Sequence, residues 1–116
     1  MAKVYIVQEN PNVNVIGAGR FGDLIPLLPP GRQITLSSAP VVKLLKNKLK
    51  DFNDKDFLLA MGDPVAIAIA SMVASDINNG KVNMLKWDRE NQCYYNVPID
   101  LYQIRIDLYQ KGESNE

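Results

Sequence analysis

Apolar positions change period along the chain, and each change marks an element. Lys3 to Gln8 is rich in β-branched and aromatic residues and predicts a first strand. Asn10-Pro11-Asn12 is a turn signal, Val13 to Ile16 reads as a short edge strand, and Gly17 to Gly22 reads as a flexible loop. Leu24 to Leu28 is apolar but contains Pro26, which restricts it to an edge strand or an extended loop. Pro29-Pro30-Gly31 turns the chain, and Gln33 to Leu36 predicts another strand.

The period then becomes helical. Ser38 is a candidate N-cap before Ala39-Pro40, and a helix is expected to run to about Phe52. Val42, Leu45, Leu49 and Phe52 define its apolar face. Phe57 to Met61 is a continuous apolar run, as in a strand covered on both sides. Asp63 and Pro64 form an N-cap and N1 pair for a helix from Pro64 to about Asn78, ended by Asn79-Gly80. That helix is apolar nearly all round, so it is expected to be the most buried element.

Lys81 to Trp87 alternates and predicts a strand. A polar turn over residues 88–91 joins it to Cys93-Tyr94-Tyr95-Asn96-Val97 as a hairpin. Over Leu101 to Tyr109 the β-branched and aromatic content favours a strand above the helix that a seven-residue spacing also allows. The polar residues 111–116 read as a flexible tail behind a single domain of residues 1–110. The middle of the chain is a β-α-β-α-β unit. The expected fold is therefore an α/β three-layer sandwich with a mostly parallel central sheet and an antiparallel C-terminal hairpin.

Composition narrows the function. The 116 residues contain no histidine and one cysteine, so histidine-based catalytic triads, internal disulfides and cysteine-cluster metal sites are excluded. Lys plus Arg is 13 and Asp plus Glu is 13, and this neutral balance argues against a dedicated nucleic-acid binder and leaves room for self-association or a partner. No apolar run reaches a membrane span, and without a secretion signal the cytoplasm is the expected location. No cofactor and no metal are predicted.

Few motifs carry chemistry. Gly17-Ala18-Gly19-Arg20-Phe21-Gly22 has the G-x-G-x-x-G spacing of dinucleotide sites, but Pro26 and Pro29-Pro30 leave no room for the helix such a site needs. Arg20 at this tip is a candidate partner contact. Gly62-Asp63, at the carboxyl end of a central strand, and Ser37-Ser38, at the next helix start, form a candidate ligand-binding corner. Lys43, Lys46 and Lys50 share a helix face, but Asp51, Asp54 and Asp56 follow and offset them. Cys93 has no neighbouring base and reads as a packed or idle thiol. Trp87, Arg89 and Tyr94 place aromatics beside a charge on one hairpin, the composition of interface anchors.

The stretches Phe57 to Ala68 and Lys81 to Arg89 resemble small uncharacterised proteins of tailed marine bacteriophages. The resemblance carries over no activity or site residue. It implies an accessory protein acting in the cytoplasm of a bacterial host. Two functions stay open: a non-enzymatic protein-interaction or self-assembling protein using Arg20, Trp87, Arg89 and Tyr94, and a small-ligand or nucleotide-binding domain using Ser37, Ser38, Gly62 and Asp63.

Overall fold

Strand β1 (Lys3–Gln8) is buried at five of its six positions because it lies inside the sheet with both faces covered. A computed structural model describes residues 1–31 and 38–103. The other strands are β2 (Asp23–Leu28), β3 (Phe57–Leu59), β4 (Lys81–Asp88) and β5 (Cys93–Asp100), in the order β2-β1-β3-β4-β5. β1 pairs in parallel with β2 and β3, β3 pairs in parallel with β4, and β4 pairs antiparallel with β5. The chain thus has an α/β fold with a mostly parallel sheet and an antiparallel C-terminal hairpin.

Chain order explains the layers. The path moves from β1 to β2 in one direction, then crosses back over β1 to β3 and β4. Right-handed crossovers that run in opposite directions cover opposite faces. Helices α1 (Ala39–Lys48) and α2 (Pro64–Ile77) accordingly share one face, where Leu45, Ala70 and Ala74 pack on Tyr5, Val7, Leu58 and Val82. The other face, with Val4, Ile6, Leu59 and Leu85, is covered by Ala18, Val15 and Phe21 of the β1–β2 connection. Period-two alternation sends Val4 and Ile6 one way and Tyr5 and Val7 the other.

Several expectations need correction. Val13 to Ile16 is not an edge strand, and Gly17 to Gly22 is not a loose loop, because Ile16–Arg20 is a 3₁₀ helix with Ala18 fully buried. Asn10 Oδ1 accepts from the Asn12 N–H at 3.0 Å and Asn14 Oδ1 from the Ile16 N–H at 2.9 Å. Such local bonds offer the backbone an alternative to a strand ladder. Ser38 makes no side-chain cap bond, and its αR backbone places it inside the helical path. α1 stops at Lys48, and Leu49 and Phe52 are buried in the turn that follows. α2 is not the most buried element. Its small residues Ala66, Ala70 and Ala74 reach the sheet, while Met72 on the opposite side is 69% exposed. Residues 101–103 form a helical turn rather than a strand. Asp100 Oδ1 organises it by accepting from the N–H groups of Tyr102 and Gln103 at 3.1 and 3.0 Å.

The remaining elements follow the pattern. Pro26 sits in β2, an edge strand, where a missing N–H is tolerated. Leu58 and Leu59 enter opposite cores, as expected of a strand covered on both faces. Gly80, at φ +82, closes α2 with its N–H bonded to the Ser75 carbonyl at 2.8 Å. The strand expected over residues 33–36, most of the segment 101–109 and the tail at 111–116 lie outside the described residues.

Candidate functional site

The parallel strands end along one edge of the sheet, and the winding direction reverses between β1 and β3. Open α/β sheets bind ligands in the crevice that such a reversal opens. Here the crevice holds Gln8. Its backbone N–H donates to the Met61 carbonyl at 3.0 Å. Its Oε1 accepts from the Asp63 N–H at 2.7 Å, and its Nε2 donates to the Pro29 carbonyl at 3.2 Å. One buried amide thereby ties the exits of β1, β2 and β3 together. Gly62, at φ +113, faces it so closely that an added Cβ would stand 2.3 Å from Gln8 Cβ.

Gly62 and Asp63 therefore lie at the predicted edge, but Gln8 fills the space beside them. Ser38 contributes no cap bond, and Ser37 lies outside the described residues. Asp63 acts as a cap: Oδ1 accepts from the Val65 N–H at 2.8 Å. Asn caps about as well as Asp, so Asp63→Asn is expected to keep the cap bond, whereas Asp63→Ala loses it at a cost of about 0.5–2 kcal/mol in thermal unfolding. Loss of biological activity in a fully stable Asp63→Asn protein would contradict a purely structural role.

Farther along the same edge the structure brings three of the four predicted partner residues together. Trp87, at the end of β4, meets Tyr94 of β5 edge to face, with ring centroids 4.9 Å apart. β-Pairing dictates the meeting, because Trp87 lies directly opposite Tyr94 across the hairpin. Tyr94 is only 3% exposed and donates its hydroxyl to the Asn14 carbonyl at 3.2 Å. Arg20 Nη2 donates to the Tyr94 carbonyl at 2.8 Å, and the guanidinium lies 4.5 Å from the centre of the Phe21 ring. Tyr94 is thus a core residue that fastens the β1–β2 connection to the hairpin. Trp87 is 42% exposed and supplies the accessible aromatic surface. Arg89 stands apart on the exposed turn. Asp88 shapes that turn: the Asn91 side-chain amide, then the Asn91 and Glu90 N–H groups, hold its carboxyl below the usual carboxylate range.

Two hollows flank Trp87. The larger encloses about 480 Å³, with Leu59, Ala60 and Met61 at the exit of β3 on one side and Asn12, Val13 and Asn14 on the other. Trp87 and Tyr94 complete it, so no charged side chain is among its described lining. The smaller encloses about 350 Å³ and shares Asn14, Trp87 and Tyr94 with the first. It adds Arg20, Gln92 and Cys93. Gln8, Asn14 and Met61 are the residues that sequence reading missed. The signal for Gln8 was a polar residue ending an otherwise apolar strand.

Burial raises the Tyr94 hydroxyl above its ordinary pKa, and burial followed by the nearby Asp56 and Asp51 carboxylates raises that of Tyr5. Raised values keep the folded state protonated after the unfolded chain has ionised. This contribution to stability is complete below about pH 10 and is lost as pH rises through the folded values. Urea midpoints are expected to fall on that alkaline limb. Tyr94→Phe, which has no proton to lose there, should make the fall shallower.

Residues 2–101 match the family described as phage Pam3 gp32-like protein. The chain belongs to this phage family. No curated protein and no solved structure matches it. The phage resemblance of the two sequence stretches therefore holds at the level of a phage protein family. Among the described residues no helix is long and apolar enough to cross a membrane.

Proposed function

We propose that this phage protein is a non-enzymatic recognition domain that seats a side chain of a protein partner against Trp87 in the host cytoplasm. The observation that carries the reading is a half-exposed tryptophan between two hollows at the carboxyl edge of a parallel sheet. Trp, Tyr and Arg supply most of the binding energy at protein interfaces, usually from pockets that shed water on contact. The hydrogen bonds of Tyr94 to Asn14 and Arg20 hold the walls in place before a partner arrives. Preorganisation of this kind lowers the ordering cost of binding.

The chain's single Trp makes the test direct. The tagged protein is used to capture partners from phage-infected cells, and a purified captured partner is then titrated while Trp87 emission is followed. Binding should shift that emission to the blue. Trp87→Ala should weaken capture of the folded protein by a factor of about 30 or more, corresponding to a hot-spot loss of about 2 kcal/mol, beyond the loss of stability that follows from removing its ring contact with Tyr94. Capture that is indifferent to Trp87→Ala would remove the hairpin from the interface. Self-association through the same surface predicts a dimer by light scattering that Trp87→Ala dissociates.

A second reading rests on the size of the larger hollow, which falls within the range of small-molecule sites. It makes the protein a small-ligand domain using the sheet's carboxyl edge. A thermal-shift screen against nucleotides and phosphorylated metabolites separates the two readings. A ligand at 100 times its dissociation constant adds about 2.7 kcal/mol of stability.

A further inference from the structure

We infer that the segment docking at Trp87 carries a large uncharged apolar side chain next to a carboxylate: the apolar group enters the larger hollow and the carboxylate meets Arg20 in the smaller one. The inference rests on the reading of Trp87 as an interface residue and adds the chemistry of what binds there.

Two observations carry it. First, the hollows differ in kind. The larger has Leu59, Met61 and Val13 in its lining and no charged side chain among the described residues. An ion placed there would lose hydration with no opposite charge to replace it. The smaller has a single charged side chain in its described lining, the cation Arg20, and no carboxylate. Second, Arg20 is positioned but not used up. Nη2 is committed to the Tyr94 carbonyl and one face lies over Phe21, while its remaining N–H groups have no partner among the described residues. A guanidinium held in place presents a fixed fork that suits a carboxylate.

Trp87, Tyr94 and Asn14 border both hollows, so one short stretch of chain lying over the Trp87 rim reaches both. Asp88 turns its carboxylate inward on its own turn, to the N–H groups of Glu90 and Asn91 and the Asn91 side chain. A carboxylate beside an apolar residue therefore finds both complements. A lysine in the same place meets Arg20 as a like charge.

The test uses short blocked peptides in which glycine and serine flank a leucine–aspartate, leucine–asparagine or leucine–lysine pair. Each is titrated into the full-length chain while Trp87 emission is followed. The aspartate peptide should saturate a shift in emission. The asparagine peptide should bind about tenfold more weakly, the lysine peptide more weakly still, and high salt should erase the difference. Arg20→Gln should bring the aspartate and asparagine peptides to equal affinity. Should Arg20→Gln fail to fold, the peptide series on the unaltered chain decides alone. Equal binding of the aspartate and asparagine peptides overturns the inference but leaves Trp87 as an interface residue. A complete lack of response to all three also overturns it, while capture from infected cells still tests Trp87 independently.

Discussion

Gly62→Ala should cost about 3–5 kcal/mol, enough to leave much of the protein unfolded at moderate temperature. Two costs add. At φ +113 a side chain is strained whatever the space around it, and here the new methyl would stand 2.3 Å from Gln8 Cβ. Neither partner can give easily. Gln8 is held at its backbone by Met61 and at its side chain by Asp63 and Pro29, and Gly62 lies between the end of β3 and the cap of α2. Chemical denaturation measures the loss. A midpoint close to that of the unaltered protein would show that the Gln8 contact relaxes freely. Replacing Gln8 by alanine as well should recover little, because alanine keeps the clashing Cβ, the positive φ remains and the Gln8 side-chain bonds to Asp63 and Pro29 are lost.

Asp56→Ala is expected to cost about 2–4 kcal/mol by a different route. Asp56 is 1% exposed, and its two carboxylate oxygens accept from the backbone N–H groups of Lys3 at 3.0 Å and Asn53 at 3.1 Å. The first bond fixes the start of β1, and the second closes the turn before β3. Alanine leaves both donors without their acceptor, and the cost of unmade buried bonds exceeds the net worth of made ones. Asp56→Asn keeps one oxygen acceptor and should fall between the two. Urea unfolding of the three proteins orders them. An Asp56→Ala protein as stable as the original would mean that water replaces the carboxylate at both N–H groups.

Both residues mark the limit of what the sequence makes legible. Period and composition located β1, β4, β5 and both helices, because burial of an apolar face is written directly in the order of residues. The same signals misjudged α2. Apolar residues all round its circumference say that it can be buried, but only the neighbouring elements decide which side is, and Met72 is left facing outward. The Asx bonds of Asn10 and Asn14 turned a β-like stretch into a 3₁₀ approach, a competition between local and ladder hydrogen bonds that hydropathy does not register. At the candidate site, Trp87 and Tyr94 were visible as a pair, since a hairpin sets its own register. Their division of labour was not. Tyr94 went inward because the β1–β2 connection, distant in sequence, supplied Asn14 and Arg20 to meet it. Gln8 escaped notice for the same reason: its partners Pro29, Met61 and Asp63 converge only once the strand order is known.

The bond from Arg20 to the Tyr94 carbonyl also bears on how the protein behaves when crowded. The Leu85 carbonyl accepts from the Ala60 N–H just past β3, so Leu85 directs its backbone groups away from its β5 partner Asn96. By the alternation of an antiparallel ladder, Tyr94, Asn96 and Pro98 then turn theirs to the open side of β5. Of these three, Tyr94 has its carbonyl occupied by Arg20, and Pro98 has no N–H to offer. Open strand edges template the addition of further chains, and a protein of zero net charge has little long-range repulsion to prevent it. A single guanidinium and a single imino acid interrupt this edge near its two ends. Addition of a further strand along β5 is thereby disfavoured.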